Sequence, residues 1–324
     1  MKRRQFNQLL AAAAAGGLLP QVAHAQAWPS RPISLVIPYP PGGNTDFMGR
    51  ATAEWLSKSL GTPVVAENRA GAGGTIAAEY ASRATPDGNT LFCATITQIS
   101  RARFLYKIRY DPFNDFVPIA NVGGNPLVLT VGSGSRFKTL ADLVQYGREN
   151  PGKLTVGHAG EGSLSHMSAF VFLHRAGIEA TLVGYKGGGP ALMDMIGGQT
   201  DLYSANISEI MPHAEGGRIR FLGVSSLERI PQLPEVPTIA ATFPGHQIET
   251  WNGVVGPAGL PTAIIDRLAD EISTMLKDQS FRTRLNNAGV ITQDGEVKQA
   301  FSDRIQRDVK LWQPLVEQAG LKPA

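Results

Sequence analysis

Cysteine is almost absent. Cys93 is the single thiol in 324 residues, so no internal disulfide can form and stability has to come from packing. An excess of one charge is missing as well, since 30 Lys and Arg stand against 27 Asp and Glu. No basic stripe interleaved with aromatics occurs, which argues against a nucleic-acid partner. After the first residues no apolar run approaches the roughly 20 residues of a membrane helix, so the mature chain is not expected to be membrane-inserted. Several chemical motifs are also lacking. His158, His166 and His174 are spaced eight apart, and no His-Glu-x-x-His pair places two imidazoles one helical turn apart. Gly71-Ala72-Gly73-Gly74-Thr75-Ile76 fails the dinucleotide spacing, and Tyr185-Lys186-Gly187-Gly188-Gly189-Pro190 lacks the order of a P-loop. Gly160-Glu161-Gly162-Ser163-Leu164 has its serine in the wrong place for a nucleophile elbow. No metal and no cofactor is expected, and no enzyme.

What is present begins with a leader. Lys2, Arg3 and Arg4 precede an apolar stretch from Leu9 to Leu19, then Pro20 and Ala23-His24-Ala25, the layout of a cleavable export signal over residues 1–25. Arg3-Arg4-Gln5-Phe6 admits the twin-arginine route beside the general secretory one. Both imply a periplasmic mature chain.

With 43% apolar and 18% charged residues, the chain can bury a large core and is long enough for two domains. Short apolar runs alternate with helical patterns, the rhythm of an α/β protein with largely parallel sheets. Strands are expected at 33–37, 64–65, 90–94, 128–131, 154–156, 181–183, 202–205 and 221–224. Helices are expected over 165–176, closed by Gly177, over 190–196, closed by Gly197-Gly198, and through most of the chain from Thr262 onward. Cys93, inside Leu91-Phe92-Cys93-Ala94, reads as a small buried hydrophobe.

The densest signal is Pro38-Tyr39-Pro40-Pro41-Gly42-Gly43-Asn44-Thr45-Asp46, which joins the apolar run 33–37 to a helical pattern of Phe47, Ala51, Trp55 and Leu56. A helix that starts on glycines offers unpaired N–H groups and about half a positive charge to an anion. The glycines also let a ligand approach the backbone closely, although the same pair would serve a simple tight turn.

These and other blocks resemble the Bug-type extracytoplasmic solute receptors, the substrate-binding proteins of tripartite tricarboxylate transporters. The resemblance rests on Trp28-Pro29-Ser30-Arg31-Pro32-Ile33, on Pro40 to Asp46 with Arg50, on Glu67-Asn68-Arg69-Ala70-Gly71-Ala72-Gly73-Gly74 and on Pro86-Asp87-Gly88-Asn89-Thr90-Leu91. Gly160 to His166, Tyr185 to Ala191, Pro234 to Thr238 and Trp251-Asn252-Gly253 agree too. It implies a type II periplasmic-binding-protein fold, two α/β lobes joined by a hinge with a ligand cleft between them. One lobe would take residues 28–127 plus 251–324, the other 128–250. It also implies a monomer that captures a small carboxylate, whether organic, amino or aromatic acid, for membrane transporter subunits. The alternative is a receptor that presents its ligand to a two-component sensor kinase.

Strand ends facing one another across the lobes would form the site. Four loops qualify, which makes the candidate residues Tyr39, Pro40, Gly42, Gly43, Asp46, Thr97, Gln98, His158, Gly160, Gly162, Ser163 and Tyr185. Asp46 admits two readings, a helix-capping carboxylate or a cleft group that selects amino or hydroxy acids. His158 stands where relatives commonly have serine, and reads either as a second anion contact or as a rim residue. Phe170, where many relatives are acidic, fits core packing beside Met167 and His174. Ser163 or Ser165 with His158 or His166 supply the ingredients of a hydrolase without its spacing.

Overall fold

The computed structural model describes residues 28–318 and Pro323, leaving aside Lys186 and Gln293, so the expected leader lies outside the described residues. In chain order the strands of the first half are β1 (Ile33–Ile37), β2 (Val64–Asn68), β3 (Thr90–Thr95), β4 (Phe116–Gly124), β5 (Leu127–Gly132) and β6 (Leu154–His158). The remainder are β7 (Ala180–Gly184), β8 (Leu202–Asn206), β9 (Ile219–Val224), β10 (Asn252–Pro257) and β11 (Ile291–Thr292). They form a six-stranded sheet of order β11-β4-β10-β3-β1-β2 and a five-stranded sheet of order β7-β6-β8-β5-β9.

The helices are α1 (Asn44–Leu60), α2 (Thr75–Ser82), α3 (Ala102–Leu105), α4 (Leu140–Glu149) and α5 (Leu164–Ala176), then α6 (Gly188–Ile196), α7 (Ile207–Glu215), α8 (Thr262–Lys277), α9 (Gln279–Asn287) and α10 (Gln299–Gln318). They cover both faces of each sheet, because strands with two apolar faces need cover on both. On β1, Ile33, Leu35 and Ile37 pack with Met48 and Leu56 of α1 and Leu268 and Ile272 of α8, while Val36 points to the other face, with α2 and α10. β3 repeats this with Leu91 and Cys93 against Phe92 and Ala94. Cys93 is buried, and burial, with the charge of Asp46, pushes its thiol up to about 12. It is an inert core residue. In the second sheet α4 and α5 cover one face, and α6 and α7 the other.

The expectation of largely parallel sheets is corrected. β1 pairs in parallel with β2 and β3, and β6 with β7 and β8, but β10 runs antiparallel to β3 and β4, and β5 antiparallel to β8 and β9. The cause is connectivity. β4 carries the chain out of the first sheet and β10 brings it back alongside, so the two neighbours point in opposite directions. Neither strand was expected from sequence, since Pro118 interrupts one apolar run and Gly253 and Gly256 flank the other. A register shift opposite Pro118 absorbs the missing donor.

The two crossings are bonded to each other. Asn125 N–H donates to Thr250 Oγ1 (3.1 Å), Thr250 N–H to Asn125 O (2.9 Å), and Pro126 and Glu249 form an isolated bridge. Beside them Arg304 of α10 sits among Glu249, Glu296 and Asp308, each at 3.4 Å, and Asp308 also accepts from Trp251 Nε1 at 2.6 Å. Burial raises the pKa of Glu249 and of Asp308 against the pull of Arg304.

Arg304→Met would strand three carboxylates around one apolar side chain, and should lower the free energy of urea unfolding by about 3–5 kcal/mol. A loss under about 1 kcal/mol would show that the cluster does not hold the crossing. A second expectation concerns pH. His246 is fully buried with neither ring nitrogen partnered among the described residues, and burial, aided by Arg175, pulls its pKa from 6.5 to about 4. The unfolded chain therefore takes up this proton first, and stability is lost as pH falls from 6.5 toward 4. His246→Leu should lose about 2 kcal/mol less than wild type between about pH 7 and 4.5. The raised carboxylates act with opposite sign but equally in both proteins, so equal slopes would contradict the assignment.

Candidate functional site

A cavity of about 320 Å³ opens between the sheets, lined by Tyr39, Asn44, Thr45, Gly73, Thr95, Ile96, Thr97, Arg101, Tyr106, Gly162, Ser163, Leu164, Asn206, Thr250 and Asn252. No carboxylate is among them. The first wall is the start of α1. Gly43 stands at its N-cap in extended conformation, no side chain caps it, and the first helical residues Asn44 and Thr45 face the cavity. Their amides form the anion-attracting end of a 17-residue helix. Gly42 makes this possible, because its φ of +92° lies in the region that side chains avoid.

Asp46 shapes the turn and does not face the cavity. Its carboxylate accepts from Gly42 N–H (2.9 Å), Arg50 Nε (2.9 Å) and Asn68 Nδ2 (2.8 Å), and it is 4% exposed. Burial works against its charge, but the bonds from Arg50, Gly42 and Asn68 prevail and hold its pKa below the ordinary value. Neither of its two sequence readings describes it, since no side chain caps α1 and Asp46 bonds the Gly42 amide ahead of the helix instead of lining the cavity. Asn44 Nδ2 donates to Asn125 Oδ1 at 2.7 Å, which ties this wall to the first crossing.

Gln98 organises the second wall from behind. Fully buried, it accepts from Thr95 N–H and Oγ1 (2.9 and 2.8 Å) and donates to Gly73 O (2.7 Å) and Tyr39 Oη (3.0 Å), so one amide locks three loops of the first sheet. Gly74 has to lack a side chain, since a Cβ there would meet the Gln98 amide. Thr97–Arg101 then forms a π-helical turn, a geometry frequent at functional sites, and leaves Thr97 and Arg101 on the cavity.

The second sheet supplies Gly162, Ser163 and Leu164. Ser163 caps α5 by accepting from His166 N–H (3.2 Å), and Gly162 N–H donates to His166 Nδ1 (3.0 Å). His158 is buried and stacked on His166, ring centroids 4.3 Å apart. Burial, then the neighbouring His158, pulls the His166 pKa to about 4, so that ring is neutral near pH 7 and serves as an acceptor. His158 is thus neither a rim residue nor a lining one, and among the described residues neither imidazole is hydrogen-bonded to a serine hydroxyl, as a relay requires.

Of the candidates read from sequence, Tyr39, Thr97, Gly162 and Ser163 line the cavity. Pro40, Gly42, Gly43, Asp46, Gln98, His158 and Gly160 sit in its supporting turns. Tyr185 turns elsewhere, its hydroxyl donating to Asp194 Oδ2 at 2.8 Å. Phe170 packs on the cluster of Met167 and Val171 and stacks on His174. Sequence reading missed Asn44, Thr45, Gly73, Thr95, Ile96, Tyr106, Leu164, Asn206, Thr250, Asn252 and Arg101. Asn44 and Thr45 belong to a loop already singled out, but nothing distinguishes Arg101 from the exposed Arg103 until the π turn orients them.

The fold has known counterparts. BugT of Bordetella pertussis is 32% identical over 304 residues, 92% of each chain. Among solved structures, R. palustris Rpa4515 with adipate superposes with a TM-score of 0.79 at 33% identity, over 92% of this chain and all of that one. MatC from Rhodopseudomonas palustris with bound malate gives 0.73 at 31% identity, over 89% of this chain and all of that one. Such proteins are substrate-binding receptors and not enzymes. Residues 48–321 match the model of the tripartite tricarboxylate transporter family receptor, and the chain belongs to that family.

Proposed function

We propose that this chain is a periplasmic receptor that captures a small carboxylate between its lobes and delivers it unchanged to membrane transporter subunits. The observation that carries the reading is a cavity without a carboxylate of its own, onto which the uncapped start of α1 opens. The lobes are residues 28–127 with 251–324, and 128–250, moving about the bonded crossings at Asn125 and Thr250. A carboxylate takes the amides of Asn44 and Thr45, with Tyr39 and Thr97 beside it and Gly162 and Ser163 closing from the other lobe. Adipate on Rpa4515 and malate on MatC support a carboxylate of this size. No helix among the described residues is long and apolar enough to cross a membrane.

Ligand-stripped protein titrated calorimetrically with a carboxylic-acid panel should bind at least one acid at one site per chain, and should bind none of the matching amides. Saturation to about 100 times Kd should add about 2.7 kcal/mol to stability. Gly42→Val forces a side chain into positive φ, costs about 1–2 kcal/mol of stability and should weaken that acid at least about tenfold by displacing the α1 amides. A panel without a single binder, or unchanged affinity in Gly42→Val, would remove the proposal.

A further inference from the structure

The cavity contains one charged side chain, and its charge is unspent. Arg101 is 1% exposed. Its Nη2 donates to Gly162 O of the opposite lobe at 2.6 Å, while Nε and Nη1 are buried without a hydrogen-bond partner among the described residues. Trp312 of α10 covers one face of the guanidinium, its ring centre 4.7 Å from Cζ, which leaves the N–H edges for polar contacts. The carboxylate whose field reaches it, Asp308, is already engaged by Trp251 and Arg304. Burial therefore lowers the Arg101 pKa to about 10. A cation sealed from water without a counter-charge is strongly unfavourable, and an anion arriving in the cavity relieves it.

Arg101 is also separate from the helix end that receives the first carboxylate. It comes from the π turn after Thr97 and is held by the second lobe, whereas the amides belong to Asn44 and Thr45 on the first. Two anion-seeking groups on separate elements of one acid-free cavity call for a ligand with a charge at each end. We propose that Arg101 is the specificity-determining residue for a second carboxylate, so that the site prefers small linear dicarboxylates to monocarboxylates. The inference rests on the carboxylate reading above and narrows it. Because Nη2 already bridges the lobes, pairing of the other N–H groups couples that second charge to lobe closure.

The test compares butanedioate, hexanedioate and octanedioate with butanoate, hexanoate and octanoate on the ligand-stripped mature chain by calorimetry. The best dicarboxylate should bind about 30-fold more tightly than its length-matched monocarboxylate, the range expected for a hydrogen-bonded ion pair. In Arg101→Met that ratio should fall below about 3, the dicarboxylates losing far more affinity than the monocarboxylates, and in Arg101→Lys, which keeps the charge without the planar fork, it should be intermediate. The half-amide of hexanedioate has the same length and a neutral end, and decides the matter on wild-type protein even if a variant does not fold. It should bind at least about tenfold more weakly than hexanedioate. A wild type that binds monocarboxylates equally well, or an Arg101→Met variant that weakens both series alike, overturns the second-carboxylate role and leaves the carboxylate receptor standing. Binding of neither series sinks both.

Discussion

A helix start that no side chain caps, with its first residues Asn44 and Thr45 on the cavity, is the constraint on which the rest of this site depends. They must be presented by a turn that no ordinary side-chain conformation permits, hence Gly42 at positive φ. The turn must also be kept from collapsing onto its own helix. Asp46 does this by accepting from Gly42 while Arg50 and Asn68 neutralise and anchor it. A carboxylate that looked like a possible competitor for the ligand is thereby spent on the architecture. The helix end keeps its positive character because the balancing charge lies behind it.

The same economy governs the second lobe. His166 would add a variable charge if it protonated, yet it accepts from Gly162 and is packed against His158, and burial keeps it neutral near pH 7. The fixed cation is Arg101, which is hydrogen-bonded to no carboxylate among the described residues. On the proposed reading, an anionic ligand would meet a field whose sources are the start of α1 and one guanidinium.

Closure and recognition share residues. Asn125 at the first crossing holds Asn44 of the cradle and Gly289 O, and its backbone is paired with Thr250 at the second crossing, itself a cavity residue. Arg304 fastens α10 to the returning segment through Glu249 and Asp308, and Trp312 of that helix lies over Arg101. On the proposed reading, a small rotation about the crossings would move groups that touch the cavity and so link lobe position to ligand occupancy.

Local pattern was enough for the strands that alternate cleanly, for the α/β class, for Gly177 as the end of α5 and for a strand-to-helix turn at the Pro-Gly segment, which lies on the cavity. Family resemblance carried the two-lobe architecture. β4 and β10 escaped because proline and glycine break their apolar runs and only pairing with each other makes them strands. Gln98 and His158 were read as ligand contacts because they lie in the right loops, but a loop position does not say which way a side chain turns. The amide of Gln98 went to the backbones of Thr95 and Gly73 and the hydroxyls of Thr95 and Tyr39, and His158 went under His166. Spacing along one chain thus determined what each segment could become and where a helix would begin on glycine. Which side chains reach the cavity, and that Arg101 does so while Arg103 faces solvent, was decided only when two distant sheets came together, because burial and partnership are properties of neighbours that sequence separation does not encode.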